Sequence, residues 1–387
     1  MRTSRILLAL TYSWSLLHAG TIPVTNTNDS GSGTLRAAVN AAQTGDTIVF
    51  SLPTGSTITL TSGELGITVG LTIQGPGAGA LTINGNQSSR IFNITSANSV
   101  TISGLTLTGG APSIDAYGGG AILIDTGESA TTVNLTDMVV IHNDVTSAGN
   151  PLGGGIDNEG GTVTIMRSSI VNNISSFRGG GIQNQGFGSM TIINSTIANN
   201  TAGASGIGGG IRSLLALTLT DCTVYGNSAQ TAGNLSSFAG GVDLQNTIVA
   251  GGVLLGGGGT GADLNGNFNS LDYNLIQDLT SAIISGTTAH SITGVSPRLG
   301  TLGGTPPVLT PQEGSPALGA GTAAAGVSVD ERGVPRPAVH PDIGAVEVTP
   351  APAPISAPAL SAGGLAFCGL LILILSYLLH KSPIRRS

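Results

Sequence analysis

Between residues 132 and 227 apolar and polar positions alternate in short runs, and the runs recur. Thr132-Val133-Asn134-Leu135, Thr162-Val163-Thr164-Ile165 and Ser189-Met190-Thr191-Ile192 each place an apolar side chain at every second residue. That is the period of a strand with one buried face, and the three-and-four spacing of an amphipathic helix is missing. Each run ends at fixed distance on an asparagine: Asn143, Asn173, Asn200 and Asn227. Ten residues before these stand Val133, Val163, Met190 and Leu217; eight before, Leu135, Ile165, Ile192 and Leu219; three before, Val140, Ile170, Ile197 and Val224. Val100, Ile102 and Leu107 hold the same offsets from Gly110, Leu71 and Ile73 begin an earlier copy, and Ile248 marks a later one. Copies follow one another every 27 to 33 residues, which fits one coil of a solenoid. The pattern predicts an all-β stack in which Val163 lies between Val133 and Met190, making one continuous core.

Three glycines and an isoleucine open the copies at 153–156, 179–182 and 208–211. They predict corners, because glycine takes positive φ without steric cost and lets neighbouring coils approach closely. The terminal asparagines are expected to take the left-handed conformation too, with their amides bonding along the axis. A phosphate cradle would need a following helix and usually a lysine, and the sequence offers neither. One segment breaks the period. In TLRAAVNAA (34–42) Thr34 can cap a helix, Leu35, Ala38, Val39 and Ala42 share a face, and Gly45 can stop it. A solenoid has raw ends, so this helix is predicted to close the first coil within an N-terminal cap at 21–46.

The two ends address the chain. Arg2 and Arg5, an apolar stretch at 6–17 and small residues near Ala19 read as a signal peptide over 1–20. After the coils at 47–252 and 253–347, the segment 348–361 carries Pro350, Pro352, Pro354 and Pro358, which makes a semi-rigid spacer. No charge occurs from 362 to 379, a helix of roughly 27 Å and enough for a thin bilayer core. The reading is therefore a transmembrane or sorting helix at 362–380. Lys381, Arg385 and Arg386 in the tail 381–387 would lie in the cytoplasm. Export of the coils and attachment to the membrane through the C-terminal helix follow as expectations.

Charged residues are only 9% of the chain and the net charge is −7, with no basic cluster outside the termini. Nucleic acid is thereby disfavoured as a partner. Cys222 and Cys368 are too differently placed to pair, so no disulfide framework is expected and Cys222 should pack as a small hydrophobe. Asp137, Arg167, Asn194 and Asp221 share one repeat column and are the best catalytic candidates, although such a column is expected to be a solvated ladder. His142 is read as a turn residue. GGTGADLNG (258–266) matches the start of a calcium-binding nonapeptide, but it occurs once and has Asn265 at the apolar position; a loop is the better reading. Asp330, Glu331 and Arg332 read as a surface turn. No catalytic, cofactor-binding or metal-binding residue is assigned, and no cofactor is expected.

VTNTNDSGSGTLRAAVNAAQTGDTIVF (24–50), followed by these coils, resembles bacterial right-handed parallel β-helix proteins of the pectate-lyase-like fold. The GGGI and terminal-Asn repeats resemble those of polymorphic outer-membrane proteins. NTIVAGG (246–252), SLDYNLIQD (270–278), GSPALGAG (314–321) and PDIGAVE (341–347) are similar to the choice-of-anchor Q family. Pro358, Leu360, Ser361 and Gly364 before an apolar run and a basic end resemble the IPTL-CTERM and PEP-CTERM tails that exosortase-type enzymes process. The resemblance implies fold and export, and supplies no catalytic residue; the Asn-x-Asp, Asp-Asp, Gly-His-Gly and Arg-x-Lys signatures of polygalacturonases have no counterpart here. The function to expect is that of a non-enzymatic surface protein of the bacterial envelope, adhesin-like or structural, with a glycan or cell-surface ligand as partner. The alternative is a polysaccharide lyase, hydrolase or glycan-binding module on the same scaffold.

Overall fold

The alternating runs form parallel strands stacked coil upon coil. The computed structural model describes residues 19–348, except 113–117, 128–130, 147–150, 239–240 and 258. The signal segment before residue 19, and the spacer, apolar helix and basic tail read at 349–387, lie outside the described residues. About nine coils make an all-β parallel solenoid. Each full coil contributes to three walls. Ile156–Asn158, Ile182–Asn184 and Ile211–Ser213 belong to the first; Thr162–Met166, Ser189–Ile193 and Leu217–Thr220 to the second; Ser169–Val171, Thr196–Ala198 and Thr223–Tyr225 to the third. The registers are those the offsets predict. Val133 pairs with Val163, Val163 with Met190 and Met190 with Leu217, while Val140, Ile170, Ile197 and Val224 align on the third wall. All are buried in one apolar cluster running through the coils. The long strand Leu264–Leu271 joins the first two walls, pairing with Leu235–Ser237 at one end and Val242–Gln245 at the other.

The corners explain the glycines. The first of each triplet has positive φ, 55° at Gly153, 57° at Gly179 and 70° at Gly208. The second meets the next coil: a Cβ on Gly154 would lie 2.2 Å from the carbonyl oxygen of Gly180. The third leaves room for the terminal asparagine of its own coil, since a Cβ on Gly181 would lie 2.9 Å from Cγ of Asn200. Those asparagines do not take the left-handed conformation expected of them. The residue before each does, namely His142, Asn172, Asn199 and Gly226, and the asparagine itself turns inward. Asn143 Nδ2 donates to Asn173 Oδ1 at 2.9 Å, Asn173 to Asn200 at 3.0 Å and Asn200 to Asn227 at 2.9 Å. Each amide also donates to a main-chain carbonyl, as Asn200 does to Ile170 at 2.8 Å. Where a coil ends on Gly252, the amide comes from the other side of the corner. Asn234 replaces the third glycine, accepts from Asn227 at 2.9 Å and donates to Asp263 at 2.8 Å.

A helix spans Leu35–Ala41, with the hydroxyl of Thr34 accepting from the N–H of Ala37 and Leu35, Ala38 and Val39 buried. Gly45, at φ 96°, follows after the chain has left the helix at Ala42. Among the described residues no helix is long and apolar enough to cross a membrane. After the strand Ile292–Thr293, the segment 295–348 folds back as a strap along the outer face of the third wall. Leu309 packs on Val171 and Ala198, while Ile343 and Ala317 pack on Ile248, Ala250 and Leu275. This revises two expectations. Val249, not Ile248, continues the inward column, and Ile248 is buried from outside by Ile343. Asp330 and Glu331 are likewise buried rather than in a surface turn: Asp330 accepts from Arg332 and the N–H groups of Val334 and Glu347 within the strap, and the outer face offers hydroxyls to Glu331. Glu331 is bonded to Ser169 Oγ at 2.6 Å and Thr196 Oγ1 at 2.5 Å, and the N–H of Ala345 donates to Thr223 Oγ1 at 3.0 Å.

Candidate functional site

Asp137, Arg167, Asn194 and Asp221 stack at the corner between the second and third walls, all at positive φ between 46° and 56°. Their fates differ. Arg167 donates to Asp137 from Nε at 2.8 Å and Nη2 at 2.9 Å, and this carboxylate pulls the guanidinium pKa up. The pair lines a cleft of about 490 Å³ shared with Gly77, Thr305, Pro306 and Glu331. Asn194 and Asp221 are buried beneath the strap, so a solvated ladder describes only the first two members. Arg336 reaches Asn194 Oδ1 at 3.0 Å and Glu347 Oε2 at 3.2 Å. Among the described residues neither carboxyl oxygen of Asp221 has a hydrogen-bond partner within normal bonding geometry. Burial pushes its pKa up to about 6, against the opposing pull of Arg336. Glu331 at the edge of the cleft is pushed by burial to about 8, partly offset by its two hydroxyl bonds. The column is thus an ion pair at one end and the anchor of a strap at the other.

The remaining candidates are turns or internal fastenings. His142 has φ 55° and borders a smaller cleft of about 300 Å³ with Asp144 and Asn172. In the calcium-like stretch, Leu264 already begins a strand, so the segment is a loop only in part. Asp263 Oδ1 accepts from Asn234 Nδ2 and the N–H of Gly252, and Oδ2 from the N–H of Asp278, each at 2.8 Å. Its carboxylate is committed to ending the amide ladder. Cys222 is buried, with Sγ 3.3 Å from the carbonyl oxygen of Ile192, as its packing role requires.

A second polar cluster was not singled out by the repeat reading. The residue after each GGGI sits mid-strand on the first wall. Since Ile156, Ile182 and Ile211 point inward, Asp157, Gln183 and Arg212 point outward. They align in consecutive coils, about 4.8 Å apart, yet Asp157 and Gln183 are fully buried and Arg212 is 7% exposed. Asp157 Oδ1, Gln183 Oε1, Arg212 Nη1 and Nε of nearby Arg178 have no hydrogen-bond partner among the described residues. Burial first, then the adjacent Glu159, pushes the Asp157 carboxyl well above the usual range, and burial also raises Glu159. Arg212 falls to about 10 through burial and the neighbouring charge of Arg178. In the turns leading to the second wall, Phe187 and Phe238 are 57% and 72% exposed. The signal available in the sequence was the change from Asp to Gln to Arg after an otherwise constant GGGI.

Comparison with known proteins adds a fold likeness. No family model matches the chain, and no curated protein matches it. Among solved structures it is similar to the crystal structure of pectate lyase Pel9A, with 13% identity and a TM-score of 0.43, covering 85% of this chain and 96% of that one. The likeness is one of scaffold.

Proposed function

We propose that the chain is an exported, non-enzymatic β-solenoid of the bacterial envelope that holds a glycan, adhesin-like, on the outer face of its first wall. The support is the exposed rings of Phe187 and Phe238, in the turns that leave that wall two coils apart. Aromatic faces carry sugar rings. In this reading the helix Leu35–Ala41 closes the first coil, and the C-terminal segment is a choice-of-anchor type tail holding the protein at the membrane until an exosortase-type enzyme cuts near Pro358. A glycan array with the full chain, repeated for Phe187→Ala and Phe238→Ala, tests the face. Binding that ignores both rings would remove this role. Mass spectrometry of the surface protein tests the tail: a peptide ending at Ser387 means a permanent anchor.

The second reading is glycan cleavage, favoured by the proximity of Asp157 and Glu159. Burial raises both carboxyls, that of Asp157 the more strongly, and two neighbouring carboxyls of differing acidity are the arrangement of a general acid and its partner. Depolymerisation assays separate the two. Cleavage lost in Asp157→Asn and Glu159→Gln would make the protein an enzyme, whereas substituting Asp137 and Asp221 together by Asn should change neither activity nor binding.

A further inference from the structure

The last coil leaves a sheet edge open. Ser281–Thr287 pairs with Leu264–Leu271, and among the described residues no strand lies along its other side. A strand so placed presents a row of unpaired N–H and C=O groups, a template for another strand. The core is unfinished at the same place. Phe268 is buried, whereas its partner in the next coil, Ile284, is only partly covered, as are Ala282 and Leu279. Ile284 and Leu279 line a cleft of about 330 Å³ with Ile276. On the outer face of the strand Ile283 is 69% exposed. Proteins blunt such edges with proline or charge. The first strand, Thr21–Val24, contains Pro23, which has no N–H to offer, and the helix Leu35–Ala41 packs beside it with Leu35, Ala38 and Val39 in the core. Ser281–Thr287 contains neither proline nor a charged residue.

We propose that this end of the solenoid is an interface between two copies of the chain, joined by antiparallel pairing of their Ser281–Thr287 edges about a two-fold axis at Ile283. The sequence of the edge fits itself. Residues directly opposite in an antiparallel pair share a face of the sheet, so two-fold pairing must centre on a residue. Centred on Ile283, it sets Ser281 against Ser285 and Ile283 against its own counterpart on the outer face, and Ala282 against Ile284 on the inner one. Hydroxyl meets hydroxyl and apolar meets apolar. Both edges gain partners for their main-chain groups, and the two clefts face each other over one shared core. Neutral edges bring no like charges together, so identical copies can approach. Such a contact closes at two copies, whereas a head-to-tail contact would grow a filament and would have to seat this edge against Pro23 and the helix.

The test follows the full chain by sedimentation velocity over a concentration series, where monomer should pass to dimer at micromolar concentration and above. Ile283→Lys, at an exposed position, should weaken the dimer roughly tenfold or more, because like charges then stand directly opposite. Ile283→Glu should do the same. An equimolar mixture of the two variants should recover the dimer, a result that requires this residue to face its own counterpart. On mild oxidation Ile283→Cys should give a disulfide-linked dimer, since opposed Cβ atoms lie about 4.5–5.5 Å apart. Thr287→Cys, roughly 27 Å from its counterpart in this register, should not. A chain that stays monomeric at every concentration, a dimer indifferent to Ile283→Lys, or variants that fail to rescue each other on mixing would overturn the interface. Filaments in place of a dimer, or a cross-link at Thr287 and none at Ile283, would overturn the two-fold register.

Discussion

Glu331 stores a pH dependence in one side chain. Its carboxyl is sealed against the third wall by Ser169 and Thr196 and titrates near 8 rather than the usual 4.5. Between those values the folded state holds a proton that the unfolded chain has released, so stability is full below about pH 4.5 and falls as pH rises toward 8. Asp221 adds the same sign between 3.8 and about 6. Each unit of difference is worth about 1.4 kcal/mol, so the loss should reach a few kcal/mol. Thermal denaturation should show a melting temperature that declines from pH 5 to pH 8, and Glu331→Gln should flatten the decline above pH 6. A melting temperature that rises over that range would contradict the assignment. Arg336 is the complementary case. It is 3% exposed and bonded to Asn194, Glu347 and the carbonyl of Asp342. Arg336→Met should cost about 3–5 kcal/mol, the range for removing one member of a buried ion pair, as read by urea denaturation. Neither role was visible in the residues alone: a sequence of Asp, Glu and Arg looks like any solvated turn until the wall it lands on is known.

Among the elements, the coil corner shows what repetition can specify. A fixed offset between an inward apolar residue and an inward amide sets register without reference to the rest of the chain, since a slip of one residue would reverse every side chain. Hence Val133, Val163, Met190 and Leu217 align as their spacing requires. Met190→Asp should therefore cost several kcal/mol, the penalty of an unpaired buried charge. The amide ladder is equally exacting. Asn200 accepts from the N–H and side chain of Asn173 and donates to Asn227 and Ile170. Asn200→Ala would leave these buried groups unmatched, at about 1–3 kcal/mol each, and should destabilise by about 3 kcal/mol or more. Asn200→Ser, able to replace only part of the network, should fall between. Hydrogen exchange that is unchanged in the neighbouring coils would refute the ladder's role. What the spacing did not reveal was which residue turns. The bend falls on the position before the asparagine, because an amide committed inward cannot also lead the chain around the corner.

At the scale of the molecule, the strap makes the third wall an interior. Removing the chain after residue 294 would expose Val171, Ala198, Ile248 and Ala250, now covered by Leu309, Ala317 and Ile343. The coils hold one another by nearest-neighbour pairing, so the shortened protein should keep its β-sheet circular dichroism. It should also associate at concentrations where the full chain does not, as sedimentation velocity would show; loss of the β-signal would mean that the coils need the strap to fold. By itself the sequence determined the strands, their register, the inward faces, the glycine corners and the helix with its Thr34 cap. All of these follow from short-range periodicity, where each residue's role depends on neighbours one coil away. Only the tertiary structure decided which polar residues are buried. Asn194 and Asp221 lie under a strap more than a hundred residues distant in sequence, and Asp157, Gln183 and Arg212 are shielded on a face that period two assigns to solvent. Burial of a polar side chain is a property of what covers it. A repeat encodes its own coil and the next one, and carries no record of the segment that later folds across it.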